Sequence, residues 1–148
     1  MPVEIRTIQY EELPELLNLY KQLHPDDPEV YGHEELNTLW DQIINDPCLH
    51  YIVMKDDGKI VSTCTLAIVK NLTRGLRPYG LIENVITHKE YRKRGCGTRV
   101  LNKAVEIAKN YDCYKVMLMT SSKEENVLRF YEKAGFEKDK KIGFALLL

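Results

Sequence analysis

The sequence predicts a mixed α/β (α+β) fold, in which a mostly antiparallel central sheet contains one parallel βαβ unit and carries helices on both faces. Two amphipathic helices near the start, a long β-hairpin in the middle and a strand–helix–strand unit in the second half indicate this fold. The predicted order of elements is βααβββαβαββ. Because hairpins pair antiparallel strands and crossovers pair parallel ones, both kinds of pairing are expected in one sheet.

Hydrophobic periodicity predicts the first three elements. Residues 3–8 alternate apolar and polar side chains, which is typical of a half-buried strand. Apolar residues recur at helical spacing over residues 13–23, and Pro25 and Pro28 end this helix because proline cannot continue the backbone hydrogen bonds. A second apolar stripe over residues 36–44 predicts another amphipathic helix.

A β-hairpin follows, with strands over residues 51–54 and 60–69. Asp57 and Gly58 lie between them and form a strong signal for a tight turn, because glycine tolerates positive φ. Residues 71–80 then form a loop that contains two arginines, two glycines and a proline.

The second half of the chain predicts a right-handed βαβ unit. Residues 81–86 form its first strand, residues 100–108 belong to an amphipathic helix, and residues 114–119 form the second strand. This second strand is almost continuously apolar, which predicts burial on both faces in a parallel sheet.

A further helix and two short strands follow in the prediction. The helix covers about residues 124–133, with Gly135 as its C-cap. The strands lie near Phe136 and at residues 142–147, where they are expected to complete the sheet.

Length and composition indicate one soluble globular domain over residues 1–148. The chain has 44% hydrophobic residues, and 21 Lys and Arg stand against 22 Asp and Glu, so that its formal net charge is −1. A near-neutral surface argues against a protein that binds nucleic acid or a membrane over its whole surface. No apolar run approaches the ~20 residues that span a bilayer.

Neither a secretion signal nor a metal site is predicted. Residues 1–4 lack the basic start of a signal peptide. The four cysteines are scattered singly, which indicates neither a disulfide framework nor a zinc site. We therefore expect a cytoplasmic protein without a bound metal.

A basic, glycine-containing turn opens the helix of the βαβ unit. Helix N-termini attract anions because their first N–H groups are unpaired, and the glycines let the main chain approach a phosphate closely. The Walker A sequence and the dinucleotide-binding spacing are both absent, so the turn predicts a phosphate site of another kind. Seven residues form it: Arg92, Lys93, Arg94, Gly95, Cys96, Gly97 and Thr98.

The R-x-x-G-x-G pattern of residues 92–97 resembles the acetyl-CoA motif of the GNAT superfamily of N-acetyltransferases, Q/R-x-x-G-x-G/A. Residues 130–136, with the sequence FYEKAGF, are similar to the second signature of that family. Asn126 lies upstream, where members often have an asparagine that contacts the cofactor. The resemblance is clear over residues 80–148, whereas the first half of the chain matches in the order of its elements.

This resemblance implies a site for acetyl-CoA. Main-chain N–H groups over residues 92–98 would hold the pyrophosphate. Val85, Ile86 and Thr87 would pair main-chain groups with the pantetheine arm, and the Val85 N–H would polarise the thioester carbonyl. Tyr131 would donate its phenolic proton to the departing thiolate.

Glu83 is a charged residue within an apolar strand, and the sequence leaves two interpretations of it open. Burial would raise the pKa of its carboxyl group, which suits a general base that takes the proton of an amine. Alternatively, Glu83 points outward at a bulge or pairs with Arg77. Residues 82–84 are similar to a segment of glucosamine-phosphate N-acetyltransferases, which have an acid in place of Asn84.

Arg74 and Arg77 lie in the loop before this strand. By analogy with the family, this loop borders the acceptor site, where two arginines would hold a carboxylate or phosphate of the substrate. The alternative is a solvated loop without a ligand.

These features predict an acetyl-CoA-dependent enzyme that moves an acetyl group directly to a primary amine of a small molecule. Protein or peptide amines are an alternative acceptor, and a CoA-binding sensor module without catalysis is an alternative of another class. A homodimer is common in this family, and the apolar residues 144–148 would cover a partner or end the core.

Overall fold

The computed structural model describes residues 2–30 and 32–148. Its strands are β1 (Glu4–Thr7), β2 (Leu49–Asp56), β3 (Lys59–Val69), β4 (Tyr79–Thr87) and β5 (Val116–Leu118). In the described residues they form one sheet in the order β1-β2-β3-β4-β5. Every neighbouring pair is antiparallel except β4 and β5, which are parallel, so the predicted mixed sheet is confirmed.

The helices are α1 (Leu13–Leu23), α2 (Glu34–Ile44), α3 (Cys96–Asn110) and α4 (Glu125–Lys133). Neighbouring residues of β2 show that the helices cover both faces of the sheet, because successive strand residues point to opposite faces. Val53 belongs to the core formed with α1 and α2, whereas Ile52 belongs to the core that contains α3 residues. Helices on both faces are therefore confirmed.

An apolar core lies on each face of the sheet. Leu16, Leu19 and Trp40 anchor α1 and α2 on one face. On the other face, Val100 and Leu101 of α3 are completely buried. The long contact between α3 and the central strands fixes where the N-terminus of α3 lies relative to the end of β4.

The hairpin between β2 and β3 turns as the sequence predicts. Asp57 has φ +51° and Gly58 has φ +76°, so both central residues are left-handed. A tight turn of this type matches the twist of the two strands that it joins.

A buried ion-pair cluster fixes β1 against β2. The Glu12 carboxylate is 4% exposed and accepts hydrogen bonds from Arg6 Nη1 and Nη2 at 2.8 and 3.0 Å and from Lys55 Nζ at 2.7 Å. The Gln9 N–H donates to the same carboxylate at 2.8 Å. The Arg6 guanidinium is the main reason why the pKa of Glu12 is lowered to about 2.

The structure differs from the predictions after α3. The doubly buried strand predicted over residues 114–119 is restricted to β5, and all three of its residues are only half-buried. The described chain has no strand in residues 134–148, so the strands predicted near Phe136 and at residues 142–147 are wrong. Because β5 pairs with β4 only, it is an edge strand of the sheet, and its residues are therefore not buried on both faces.

Among the helices that the structure describes, none combines the length and the apolar character that crossing a bilayer requires.

Candidate active site

The strand β4 is bulged in its middle. Its register with β3 runs regularly from Tyr79 to Glu83 and resumes at Ile86. Between these stretches, two residues of β4, Asn84 and Val85, lie opposite a single residue of β3. Asn84 has a left-handed φ of +53°. A bulge of this kind leaves the extra residue without a ladder partner. The main chain at Val85 is therefore available to a ligand.

A gap opens beside this bulge because β4 and β5 stay paired over three residues only. Gly80 to Ile82 pair with Val116 to Leu118, and β4 then continues alone to Thr87. The edge of β4 that faces away from β3 thus has no strand partner from residue 83 onward in the described chain. An extended ligand can pair there with the main chain as an added strand does.

The N-terminus of α3 lies at the end of this gap. Lys93 and Gly95 are left-handed, with φ values of +63° and +79°, and Gly95 is the N-cap residue. No side chain caps the helix, so its first N–H groups remain free to bind an anion.

Gly97 brings three elements together at this point. A Cβ atom on Gly97 would stand 2.8 Å from Phe130 Cζ of α4 and 3.3 Å from Thr87 Oγ1 of β4. The first turn of α3 therefore approaches both elements as closely as a glycine permits. Thr87 is itself held by a 2.8 Å hydrogen bond between its hydroxyl and that of Ser62.

The basic side chains of the turn are exposed and tethered. Arg92 Nε donates to the Thr87 carbonyl oxygen at 3.2 Å, which ties the turn to the end of β4. The Arg94 guanidinium lies over the Tyr91 ring, 5.2 Å from its centroid. Lys93 is also exposed, so the turn adds positive charge in front of the free N–H groups of α3.

Tyr131 lies on α4, on the side of the sheet that α3 covers. Its ring is half-buried and makes an edge contact with Phe130 at a centroid distance of 4.9 Å. Burial raises the pKa of the Tyr131 phenol, and the Cys64 thiol and the Glu83 carboxylate raise it further. The phenol thus stays protonated over a wide pH range, as a proton donor must. Asn126 is exposed in the first turn of α4.

Glu83 directly precedes the bulge, and its side chain is exposed. Glu83 thus lies outward next to the bulge, which is one of the two interpretations that the sequence left open, and its carboxylate is not buried. The alternative pair with Arg77 is not found among the contacts of the described residues. Glu83 is nevertheless close enough to Tyr131 for its charge to act on the phenol.

Arg74 and Arg77 are held by contacts away from the bulge, and the prediction that they bind the acceptor stays a prediction. Arg77 donates to the carbonyl oxygens of Asp112 and Cys113, both at 3.1 Å, and pairs with the Asp112 carboxylate at 3.3 Å. Arg74 lies over the Tyr114 ring, 5.7 Å from its centroid. Since a strand rises about 3.3 Å per residue, the six residues from Arg77 to the Glu83 position span about 20 Å.

Two buried hydroxyl groups, of which one is opposite Glu83, were not predicted. Thr65 is directly opposite Glu83 in the register of β3 and β4, so the two side chains share a face. Thr65 Oγ1 and Tyr20 Oη are buried and make no hydrogen bond of acceptable geometry in the described residues. Burial raises the pKa of the Tyr20 phenol. No local signal marks these residues, because they occupy ordinary strand and helix positions.

No metal centre is apparent in the part of the chain that the structure describes. No group of three His, Cys, Asp or Glu side chains there has the arrangement of a metal site. The four cysteines are free thiols, and two of them are buried.

Comparison with known proteins agrees with this geometry. The chain matches the model of the acetyltransferase (GNAT) family over residues 13–136. A glucosamine 6-phosphate N-acetyltransferase of Trypanosoma brucei brucei is 42% identical over 79 residues, which are 53% of this chain and 52% of the relative. N-alpha-acetyltransferase 30 of Xenopus laevis is 29% identical over 141 residues, 93% of this chain and 48% of the relative. The chain thus spans about half the length of these curated relatives.

Solved structures show the same fold. One from Agrobacterium tumefaciens str. C58, which is assigned as an acetyltransferase, has a TM-score of 0.92 and 41% identity and covers 98% of this chain and 99% of its own. An acetyltransferase of Trypanosoma brucei has a TM-score of 0.82 and 30% identity, with coverages of 99% and 100%. The resemblance that residues 92–97 and 130–136 indicate is confirmed. Since the family model spans most of the chain, this protein belongs to the GNAT family of acetyltransferases.

Proposed function

We propose that this protein is an acetyl-CoA-dependent N-acetyltransferase that moves an acetyl group directly to a primary amine of a small molecule. The observation that carries the proposal is the convergence of three groups at one gap in the sheet. The free main chain at Val85, the uncapped N-terminus of α3 and the half-buried Tyr131 all border the space beside the end of β4.

The residues of the gap fit acetyl-CoA as a substrate. Free N–H groups over residues 92–98 suit the pyrophosphate, and the glycines leave room for its close approach. The unpaired edge at Val85, Ile86 and Thr87 suits the amide-containing pantetheine arm. Asn126, exposed at the start of α4, would contact the same molecule. Bound there, acetyl-CoA supplies an acetyl group activated as a thioester.

The side chains then have separate tasks. A neutral amine attacks the thioester carbon, and the Val85 N–H donates to the oxygen on which negative charge develops. Tyr131 gives its proton to the sulfur as the carbon–sulfur bond breaks, since its raised pKa keeps the phenol protonated. Glu83, directly or through water, accepts the proton that the nitrogen loses. Each proton that leaves one group is therefore taken up by another.

The acceptor is proposed from the relatives. One glucosamine 6-phosphate N-acetyltransferase, named for a small phosphorylated amine, is 42% identical over 53% of this chain, and a second is 34% identical over 59%. N-alpha-acetyltransferase 30 aligns over 93% of this chain, and this favours protein N-termini as the second candidate. The exposed Glu83 carboxylate is compatible with either amine.

A thiol-release assay with acetyl-CoA separates the candidates. The panel contains glucosamine 6-phosphate, unphosphorylated amino sugars, small aliphatic amines and peptides with free N-termini. We expect CoA release with a small amine and none with peptides. Release with peptides only would overturn the small-molecule assignment, and calorimetric binding of acetyl-CoA without release for any amine would support the sensor module.

We also propose that the protein is a cytoplasmic homodimer. Free cysteines, two of them half-buried rather than fully buried, suit a reducing compartment. Exposed apolar side chains near residue 144 support self-association.

A further inference from the structure

A row of polar side chains crosses three strands of the sheet. Tyr51 of β2 pairs with Thr65 of β3, and Thr65 pairs with Glu83 of β4, so the three side chains are neighbours on one face. This face is the one that α1 and α2 cover, because Tyr51 packs against their core. The row ends at Glu83, which is exposed directly before the bulge. It thus connects the interior under α1 with the proposed reaction centre.

Two threonines of β3 differ in their hydrogen bonds. Thr63 is fully buried, and its hydroxyl group donates to the Ile52 carbonyl oxygen at 2.6 Å. Thr65 is 7% exposed, and its Oγ1 has no hydrogen-bond partner of acceptable geometry in the described residues. A buried hydroxyl group without a partner lowers the stability of a fold. Folding alone therefore gives no reason for a hydroxyl group at Thr65.

Tyr20 of α1 brings a second hydroxyl group to the same place. Its Oη is buried and also lacks a partner of acceptable geometry in the part of the chain that the structure describes. Burial raises the pKa of the Tyr20 phenol, and the Thr65 hydroxyl acts on it in the opposite direction, as a close neighbour does. Burial also raises the pKa of the Tyr51 phenol, on which Thr65 acts in the same way. Three hydroxyl groups thus meet at Thr65, and each has one proton to donate.

A carboxylate is the natural partner for such a cluster. An ionised carboxylate only accepts hydrogen bonds, whereas each hydroxyl group can donate one. Glu83 is directly opposite Thr65, and the Cβ atoms of such a cross-strand pair lie about 4.5–5.5 Å apart. A glutamate side chain crosses this distance by rotation about its own bonds. Glu83 can therefore reach the Thr65 hydroxyl without any movement of the strands.

We propose that Thr65 is a positioning residue for Glu83: its hydroxyl group donates to the Glu83 carboxylate when that side chain turns inward, and the Tyr20 phenol donates to Thr65 from behind. This role rests on the proposed function, in which Glu83 accepts the amine proton. Both hydroxyl groups then have an acceptor, because the Tyr20 proton points to Thr65 Oγ1 and the Thr65 proton points to Glu83.

The contact fixes the orientation of the base. An exposed glutamate populates several rotamers, whereas a general base must lie within hydrogen-bond reach of the proton that it takes. A donor at Thr65 selects the rotamer that keeps the carboxylate beside the bulge. The Thr65 proton stays on its own oxygen throughout, so the carboxylate alone takes up the proton of the amine. Stability is thus lower than an apolar side chain would give, and the base is held in place for the reaction.

Thr65→Val and Thr63→Val are a matched pair of variants that tests this role through stability. Both replace a buried threonine of β3 by a side chain of similar shape without the hydroxyl group. We expect Thr65→Val to unfold at the same urea concentration as the wild type or a higher one, because it removes a hydroxyl group without a partner. Thr63→Val should unfold at a lower one, because it loses the hydrogen bond to Ile52. A loss of stability in Thr65→Val as large as that in Thr63→Val overturns the proposal.

Turnover should show the opposite order. We expect Thr65→Val to lower kcat about tenfold, as the loss of a hydrogen bond to a charged group does, with KM for acetyl-CoA unchanged. Thr65→Ser keeps the hydroxyl group and should restore most of kcat. Thr63→Val should keep the kcat of the wild type when it is measured well below its unfolding transition. Equal kcat in Thr65→Val and the wild type overturns the positioning role.

A double-mutant cycle connects the effect to Glu83. In the Glu83→Gln chain, Thr65→Val should change kcat by less than about twofold, because no base is left to position. Tyr20→Phe should lower kcat in the wild type and add nothing in Thr65→Val, since Tyr20 acts through Thr65. Losses that multiply independently in either combination contradict the proposed chain of hydrogen bonds.

The wild type separates this inference from the proposed function. All variants are assayed with the amine of the panel that gives the fastest thiol release. Transfer by the wild type together with unchanged kcat in Thr65→Val leaves the enzyme assignment intact and overturns the role of Thr65. A wild type that releases no thiol with any amine contradicts the enzyme assignment, and the positioning role with it.

Discussion

Gly97 in the first turn of α3 faces the ring of Phe130 in α4 so closely that a Cβ atom would stand 2.8 Å from Cζ. This contact joins the two signatures of the family, because Gly97 belongs to the anion-binding turn and Phe130 precedes the proposed proton donor. The small size of Gly97 thus allows the first turn of α3, with its free N–H groups, to lie close to the helix that carries Tyr131.

Substitution of Gly97 by alanine should displace the first turn of α3. The Phe130 ring packs against Tyr131 and cannot simply turn aside, so we expect about 1–3 kcal/mol of lost stability. CoA affinity should fall about tenfold, which corresponds to ~1.4 kcal/mol. Calorimetry and urea unfolding measure the two effects. Phe130→Leu in the same chain should restore part of both, with Phe130→Leu alone as the control, and unchanged CoA affinity in Gly97→Ala would contradict the role of the contact.

Tyr131→Phe should lower turnover far more than CoA affinity. Removal of a general acid typically costs 10²- to 10⁴-fold in rate, and the ring itself remains. Thiol release and CoA calorimetry separate the two quantities. Tyr79→Phe is the matched control, because Tyr79 lies at the opposite end of β4. Equal turnover in Tyr131→Phe would remove this residue from the mechanism.

The pH dependence of turnover gives a second check on Tyr131. Burial raises the pKa of the phenol above its ordinary value of 10.0. An acid catalyst loses activity as pH rises through its pKa, so the alkaline loss that depends on Tyr131 should begin only above about pH 10. A Tyr131-dependent loss near neutral pH would argue against this assignment.

Glu83→Gln tests which group accepts the amine proton. If the carboxylate acts directly, turnover should fall about 10²-fold while CoA affinity stays constant. Glu90→Gln is the control, since Glu90 is exposed near the same end of the sheet. Turnover within twofold of the wild type would assign proton acceptance to water instead.

Glu12 should make the fold sensitive to acid. Its pKa is about 2 in the folded protein against 4.5 ordinarily, so the unfolded chain takes up its proton first as pH falls. The stabilisation is therefore fully present above about pH 5 and is lost progressively toward pH 2. The shift corresponds to about 3 kcal/mol.

Urea unfolding at pH 7 and pH 3.5 measures this effect. Glu12→Gln should be less stable than the wild type at pH 7 by about 3 kcal/mol and should lose less stability on acidification. Glu4→Gln is the matched control, because Glu4 also pairs with Arg6 but is 56% exposed at its side chain. Equal pH dependence in wild type and Glu12→Gln would show that other groups cause the acid sensitivity.

The sequence determined those features that depend on neighbouring residues. Asp57-Gly58 defines its turn because glycine adopts positive φ at little cost, and the turn before α3 combines its glycines with a helix start. Hydrophobic periodicity predicted α1, α2 and α3 for the same reason, since each helix closes its hydrogen bonds within a few residues.

Tertiary structure alone decided how distant segments meet. Arg77 contacts Asp112, 35 residues away, and no contact with Glu83 is found among the described residues. The bulge at Asn84 and Val85 arises from the register between two strands, and Glu83, directly before it, is exposed. Residues 142–148 have the apolar character of a strand, yet a strand forms only where an edge supplies hydrogen-bond partners. Periodicity within a segment predicts its shape, whereas pairing between segments depends on the whole fold.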